Sequence, residues 1–243
     1  MPAAIVTGGA VRLGRAFACH LAENGFDIAL HYHSSTSAAE EALSKIHACG
    51  VRCQGYPCDF KNLQEVQGFM ENAIADFPDI SLLVNSAANF IQENVEHTST
   101  QTLVDTFNIN LLSPYLLMRE YKSGVNRGMV INILDQRILK NIPSFAAYSV
   151  AKTGLAHLTR LAAVEWGKSV RVNGIAPGLI LPPAGETGDY LKRNAKTIPT
   201  ASHGSLSDLL KALDYLLNSP FVNGEVLFVD GGESKNPSFR SAL

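Results

Sequence analysis

The stretch Ile5–Arg15, IVTGGAVRLGR, decides how the rest of the chain is read. An apolar run ends at Thr7, glycines stand at 8, 9 and 14, and helix-forming residues follow. Gly8, Gly9 and Gly14 let a backbone turn tightly and approach a ligand closely. A helix opening there, with Leu13 in its first turn, offers unbonded N–H groups and the positive end of its dipole to a pyrophosphate. The spacing is not G-x-G-x-x-G. Arg12 stands where another glycine would, and its cation faces phosphate, substrate or solvent.

Working outward, short apolar runs alternate with helical stretches. Strands are expected at Pro2–Val6, Asp27–Tyr32, Val51–Tyr56, Ile80–Asn85, 128–134, 170–176 and 225–232. Helices are expected at Leu13–Asn24, Ala38–Ala48, Leu63–Asp76, Thr100–Tyr121 (which contains Pro114) and Phe145–Trp166. Gly25 and Gly50 suit the stops of the first two. Strands this apolar, separated by helices, imply one doubly wound parallel seven-stranded sheet of Rossmann type, an α/β fold with helices on both faces. Its ligands bind beyond the carboxyl ends of the strands. With no repeat or linker, residues 1–243 read as a single nucleotide-binding domain. Residues 179–200, LILPPAGETGDYLKRNAKTIPT, look irregular and suit either a mobile lid or a plain surface loop. The tail ESKNPSFRSAL leaves disorder and contact with a neighbouring subunit both open.

Net charge is −2 with both signs interspersed, so neither a nucleic-acid nor a membrane surface is indicated. The opening MPAAIVTGG has no basic n-region or cleavage site, so no signal peptide is expected. Cys49, Cys53 and Cys58 follow His47, but their spacing is not the paired C-x2-C of zinc sites. They read as core or strand thiols, with no metal and a reducing, cytoplasmic setting.

The second strand runs into HYHSST. An NAD-preferring protein often has an acid there. Here no carboxylate follows until Glu40, and His33, Ser34 and Ser35 offer donors to a 2′-phosphate, which favours NADPH. Further on, Tyr148 and Lys152 stand at i and i+4 of one helix and share a face, as a proton-donor pair would. Where a partner hydroxyl would be expected, the chain has Asp135.

Seven collinear pieces resemble the short-chain dehydrogenase/reductase family: TGGAVRLG at 7–14, CDF at 58–60, LVNSAA at 83–88, Asn110 in NINLLSPY, YSVAK at 148–152, RVNGIAPG at 171–178 and VDGG at 229–232. The resemblance implies a nicotinamide-cofactor oxidoreductase, usually an oligomer. Carried over, Asn110, Tyr148 and Lys152 would be catalytic, with Asn110 anchoring a water relay behind Lys152. Asp59 beside Phe60 would hold the adenine, Asn85 and Ala87 would line the cofactor, and Pro177, Gly178 and Leu179 would face the nicotinamide amide. The usual catalytic serine is Asp135, the usual N-N-A-G reads Asn85-Ser86-Ala87-Ala88, and Phe90 follows. These departures, with HYHSS and APGLILPP, resemble the pteridine reductases and among them the bacterial dihydromonapterin reductases. By that resemblance Asp135, Tyr148 and Lys152 do the proton chemistry, Phe90 stacks on the pterin, and Arg12 lies near phosphate and substrate. Pteridine reductases often carry an arginine where this chain has Ser34.

A carboxylate near Tyr148 raises its pKa and keeps the phenol protonated, which suits reduction. Ionised Asp135 is an acceptor only, so it repels a ketone oxygen and favours an N–H-rich heterocycle. Phe90 supplies an aromatic face for a flat ring. The expected activity is NADPH-dependent reduction of a dihydropterin. Reduction of carbonyl substrates such as 3-oxoacyl thioesters is the alternative, and a non-catalytic cofactor sensor a lesser one. The helix from Tyr148, with Leu155, Leu158, Leu161 and Ala162, is expected to pack against another subunit of a dimer or tetramer.

Overall fold

A computed structural model describes residues 1–183, 185–186 and 188–236. In chain order its strands are β1 (Ala3–Val6), β2 (Asp27–Tyr32), β3 (Cys53–Pro57), β4 (Ile80–Asn85), β5 (Gly128–Ile133), β6 (Val170–Pro177) and β7 (Val226–Val229). The helices are α1 (Arg12–Glu23), α2 (Thr36–His47), α3 (Leu63–Asp76), α4 (Thr100–Phe107), α5 (Ser113–Gly124), α6 (Ala146–Trp166), α7 (Gly188–Ala195) and α8 (Leu206–Asn218). The strands pair in parallel in the order β3-β2-β1-β4-β5-β6-β7, the expected doubly wound α/β sheet of seven strands.

The strands are apolar because both faces are covered. On one side, Phe17 and Leu21 of α1, Ile46 of α2 and Leu209 and Leu213 of α8 pack on Val6, Leu30 and Leu82. On the other, Val66 and Met70 of α3, Leu117 and Tyr121 of α5 and Ala162 of α6 pack on Ile5, Leu83 and Val130. Strand order reverses between β1 and β4, which opens a crevice at their carboxyl ends.

Three expectations need correction, and one helix was not expected. The helical run Thr100–Tyr121 is interrupted by a π turn, Asn108–Leu112, before α5 begins. Pro114 has no N–H to give the carbonyl of Asn110 four residues earlier, so the regular α pattern breaks there. Residues 179–200 are not wholly irregular, since α7 lies within them. Its apolar face is short, Leu191 and Ala195 one turn apart in an otherwise polar stretch, and Asp189 in its first turn with Lys192 and Arg193 in its last complement the helix dipole. Helix α8 was not anticipated, although Ser205 and Asp208 form a capping box before a run of leucines. Finally, Leu155 and Ala162 point into the core, and α6 turns Val150, Leu161 and Val164 outward. Of the stretches singled out in the sequence, residues 184 and 187 of the proposed lid and 237–243 of the tail lie outside the described residues.

Candidate active site

The crevice is set by backbone contacts between the loops after β1 and β4. Thr7 Oγ1 accepts from the amides of Ser86 and Ala87 at 2.9 and 3.0 Å. Gly8 has φ +63°, and a Cβ on it would lie 2.9 Å from Ala87 Cα. A Cβ on Gly14 would lie 2.1 Å from the Gly8 carbonyl oxygen, so only glycine lets α1 start against this turn. Leu13 packs on the core behind it.

A cavity of about 410 Å³ opens in front, walled by Gly8, Ala87, His33, Ser34, Ser35, Asp59 and Phe60. The expected nucleotide-end residues from the four loops after β1, β2, β3 and β4 therefore converge. Two further residues escaped the sequence reading. Lys61 also lines the cavity and pairs with Asp105 at 3.4 Å. His31 takes the Gly8 amide on Nδ1 at 3.1 Å, which leaves the proton on Nε2 to donate to the Cys58 carbonyl at 3.0 Å. Its ring stacks on Phe60 with centroids 3.9 Å apart, and burial lowers its pKa to about 4, so it is neutral near pH 7. Period-2 alternation along β2, which puts His31 and His33 on one face, was the available signal. The nucleotide end is also not free of acids: β3 delivers Asp59, 3.6 Å from His33. The glycine turn, the cavity and the donors Ser34, Ser35 and Lys61 fit a phosphorylated dinucleotide.

Two expected ligands of the cofactor, Asn85 and Arg12, are directed to other partners. Asn85 Nδ2 donates to Asn132 Oδ1 at 2.8 Å, because the β4–β5 register sets the two side by side on the sheet face covered by α5 and α6. Arg12, in left-handed backbone at φ +52°, reaches over and donates to the Pro182 carbonyl at 2.8 Å. It thereby tethers the 179–200 segment to the turn rather than sitting among the residues that wall the cavity. Past Pro177, the Gly178 amide is taken by Val229 O at 2.9 Å, and the Leu179 carbonyl accepts from Gly204.

At the other end of the crevice, α6 supplies Tyr148 and Lys152, and the turn after β5 supplies Asp135. The Tyr148 hydroxyl donates to Asp135 Oδ2 at 3.0 Å, while Asp135 Oδ1 accepts the Arg137 amide at 2.8 Å and starts a 3-10 turn over Gln136–Leu139. Lys152 Nζ donates to the Ile133 carbonyl at 2.8 Å. Burial pushes the Tyr148 pKa well above its ordinary value, and the Asp135 charge adds to the rise. Burial also raises Asp135, against the Arg137 and Tyr148 hydrogen bonds, and lowers Lys152 to about 8. A neutral tyrosine holding its proton toward a carboxylate is a proton donor in waiting. Asn110, on the π turn, donates to the Thr106 carbonyl at 3.0 Å and to the Asn89 side chain, and its own Oδ1 is buried without a hydrogen bond among the described residues.

Phe90 stands at the mouth, 48 % exposed, edge-on to Tyr148 with centroids 4.7 Å apart. Its ring is stacked on Phe145 at 3.9 Å and 10°. Phe145 is the residue before α6 and has φ +63°, a conformation that strains a bulky side chain by about 1–3 kcal/mol. The sequence reading did not single it out.

Residues 9–234 match the family model described as enoyl-(acyl carrier protein) reductase. An uncharacterized oxidoreductase from Mycobacterium tuberculosis is 33 % identical over 94 % of this chain and 90 % of its own length. A 3-oxoacyl-[acyl-carrier-protein] reductase from Staphylococcus aureus is 27 % identical over 94 % of this chain and 96 % of its own. The crystal structure of FolM alternative dihydrofolate reductase 1 from Brucella suis in complex with NADP superposes with TM-score 0.91 at 27 % identity, covering 99 % of this chain and 97 % of that one. Matched along nearly its whole length, and carrying the tyrosine–lysine pair beside a glycine-turn crevice, the chain belongs to the short-chain dehydrogenase/reductase family, oxidoreductases that use nicotinamide cofactors.

Proposed function

We propose that the protein is an NADPH-dependent reductase of a flat, N–H-rich heterocycle of dihydropterin type. The observation that carries this reading is the Asp135 carboxylate, hydrogen-bonded to the Tyr148 hydroxyl at 3.0 Å. The structural likeness to an alternative dihydrofolate reductase crystallised with NADP supports it. The glycine turn, Ser34, Ser35 and Lys61 would hold NADPH, which supplies a hydride to a substrate carbon when bound. Tyr148 gives its proton to the adjacent nitrogen, completing a two-electron reduction of a C=N bond. Asp135 keeps that phenol protonated and accepts a substrate N–H. Lys152, fixed by the Ile133 carbonyl, places positive charge for the cofactor ribose.

The test follows NADPH absorbance with dihydromonapterin and dihydrobiopterin against acetoacetyl thioesters and simple ketones. Pterin-dependent oxidation is the expected result. Turnover of thioesters without pterins would select the second reading, carbonyl reduction, which the likeness to a 3-oxoacyl-[acyl-carrier-protein] reductase supports. Asp135→Ser adds a pH readout: without the carboxylate the Tyr148 pKa falls, so the high-pH limit of reduction moves to lower pH and pterin turnover drops. Improved pterin turnover in that variant would sink the reading.

The outward apolar residues Val150, Leu161 and Val164 of α6, with Leu112 just before α5 and Tyr115 in it, support a homo-oligomer, dimer or tetramer. Light scattering on the purified protein measures it. No helix among the described residues is long and apolar enough to cross a membrane. The free thiols of Cys19, Cys49, Cys53 and Cys58 support a reducing, cytoplasmic setting as part of this proposal.

A further inference from the structure

Phe145 has no role in the chemistry above, yet three observations tie it to the site. First, it is the one aromatic among the four described non-glycine residues with positive φ, at +63°. Strain of this kind persists only where the surroundings enforce it, and it clusters at functional sites. Second, the strained backbone lays its ring flat against Phe90, 3.9 Å away and 10° from parallel. The surroundings enforce this on two sides, since the Glu93 carbonyl takes the following amide, Ala146, at 2.9 Å, and α6 begins at once. Third, the Arg137 guanidinium lies 4.8 Å from the Phe145 centroid and 5.6 Å from that of Phe90. With the rings only 3.9 Å apart, those separations put the cation at the flank of the stack rather than above an outer face. Arg137 is also the residue whose amide fixes Asp135. The stack and the Asp135–Tyr148 pair are thus anchored on one short turn.

We infer that Phe145 is a positioning residue that backs Phe90, making a rigid two-ring wall against which a flat substrate ring is selected. This deepens the dihydropterin reading and rests on it for the identity of the ring. An isolated Phe90 at the crevice mouth would sample several rotamers, and a substrate would have to order it on binding. With one face already covered and its edge against Tyr148, Phe90 presents its remaining surface in a fixed orientation. A flat ring stacked there gains offset aromatic contact, whereas a linear acyl chain gains none from ring orientation.

The experiment compares the wild type with Phe145→Leu, Phe145→Gly and Phe145→Tyr on three substrates: a dihydropterin, a flat quinone and a linear ketone. Glycine accepts positive φ without strain, so Phe145→Gly keeps the backbone path while deleting the ring. The expected result is a KM for flat substrates raised about tenfold in the Leu and Gly variants, with kcat within about twofold and recovery in Phe145→Tyr. Tenfold corresponds to about 1.4 kcal/mol. The ratio of kcat/KM for flat over linear substrates falls by the same factor. If the wild type reduces the quinone but no pterin and the quinone KM rises, the pterin reading fails and the wall stands. If pterins are reduced and their KM is unmoved in both variants, the wall is overturned and the pterin reading stands. Turnover of linear ketones alone overturns both.

Discussion

At the end of β1 the crevice is shaped by main chain, with Gly14 closed on the Gly8 carbonyl and Gly8 closed on Ala87. At the end of β5 it is shaped by side chains: Asp135, Tyr148, Phe90 and Phe145 come from three separate segments and meet through one 3.0 Å hydrogen bond and a ring stack. The nucleotide end therefore tolerates few changes of volume, because main chain cannot rotate out of the way. The reacting end tolerates changes of volume better than changes of chemistry. A bound dinucleotide presents the same phosphates in every turnover, which suits a rigid backbone cradle. Choice of substrate falls to the side chains at the reacting end.

The largest effect should come from the reacting end. Tyr148→Phe removes the proposed proton donor and is expected to lower kcat by about 10²–10⁴-fold, while NADPH affinity by fluorescence titration stays nearly unchanged. A fall in affinity matching the fall in kcat would show that the two ends are not separable.

Gly14→Ala probes the other side. The added Cβ would lie 2.1 Å from Gly8 O, so the turn must move. NADPH binding is expected to weaken by at least about a hundredfold, roughly 2.7 kcal/mol. An alanine variant that binds as the wild type does would break the picture of a backbone cradle.

His31 sharpens the comparison through pH. Its folded pKa of about 4 lies below the ordinary 6.5, so between those values the unfolded chain binds more protons. The stability contributed by neutral His31 is complete above pH 6.5 and is lost as pH falls toward 4. Urea unfolding should show about 2 kcal/mol less stability from this residue at pH 5 than at pH 7, since each pKa step is about 1.36 kcal/mol. His31→Gln should flatten that slope; an unchanged slope would remove His31 from the account.

The smallest effect is expected at the rim. Ser34 is exposed beside His33 and Lys61, and Ser34→Arg should raise the preference for NADPH over NADH about fivefold, near 1 kcal/mol for an exposed ion pair. Kd ratios for the two cofactors measure it. No gain would mean that the 2′-phosphate is read by residues other than those after β2.

Much of the fold was legible because strand burial and helix periodicity are local. The apolar run 80–85 and the helical run 63–76 are reproduced residue for residue. Helix α7 was hidden, because its apolar face is only Leu191 and Ala195 within eight mostly polar residues, and the π turn follows from a missing donor at Pro114 that pattern alone does not locate. At the site, the glycine turn and the spacing of Asp135, Tyr148 and Lys152 could be read off a line of letters. What could not be read was the direction of each side chain. Asn85 meets Asn132 on the neighbouring strand, Arg12 crosses to Pro182, and His31 bridges Gly8 to Cys58, because strand pairings such as β4–β5 and β2–β3 decide which groups lie within hydrogen-bond reach. The stack of Phe145 on Phe90 joins residues 55 apart in sequence through a backbone conformation that phenylalanine does not favour. The amino-acid sequence by itself determined the sheet, the glycine turn and the spacing of the groups proposed to handle the proton, since these depend on periodicity, glycine and chemistry. Only the tertiary structure decided which side chains face the crevice and where strain is held, since both depend on packing between elements far apart along the chain.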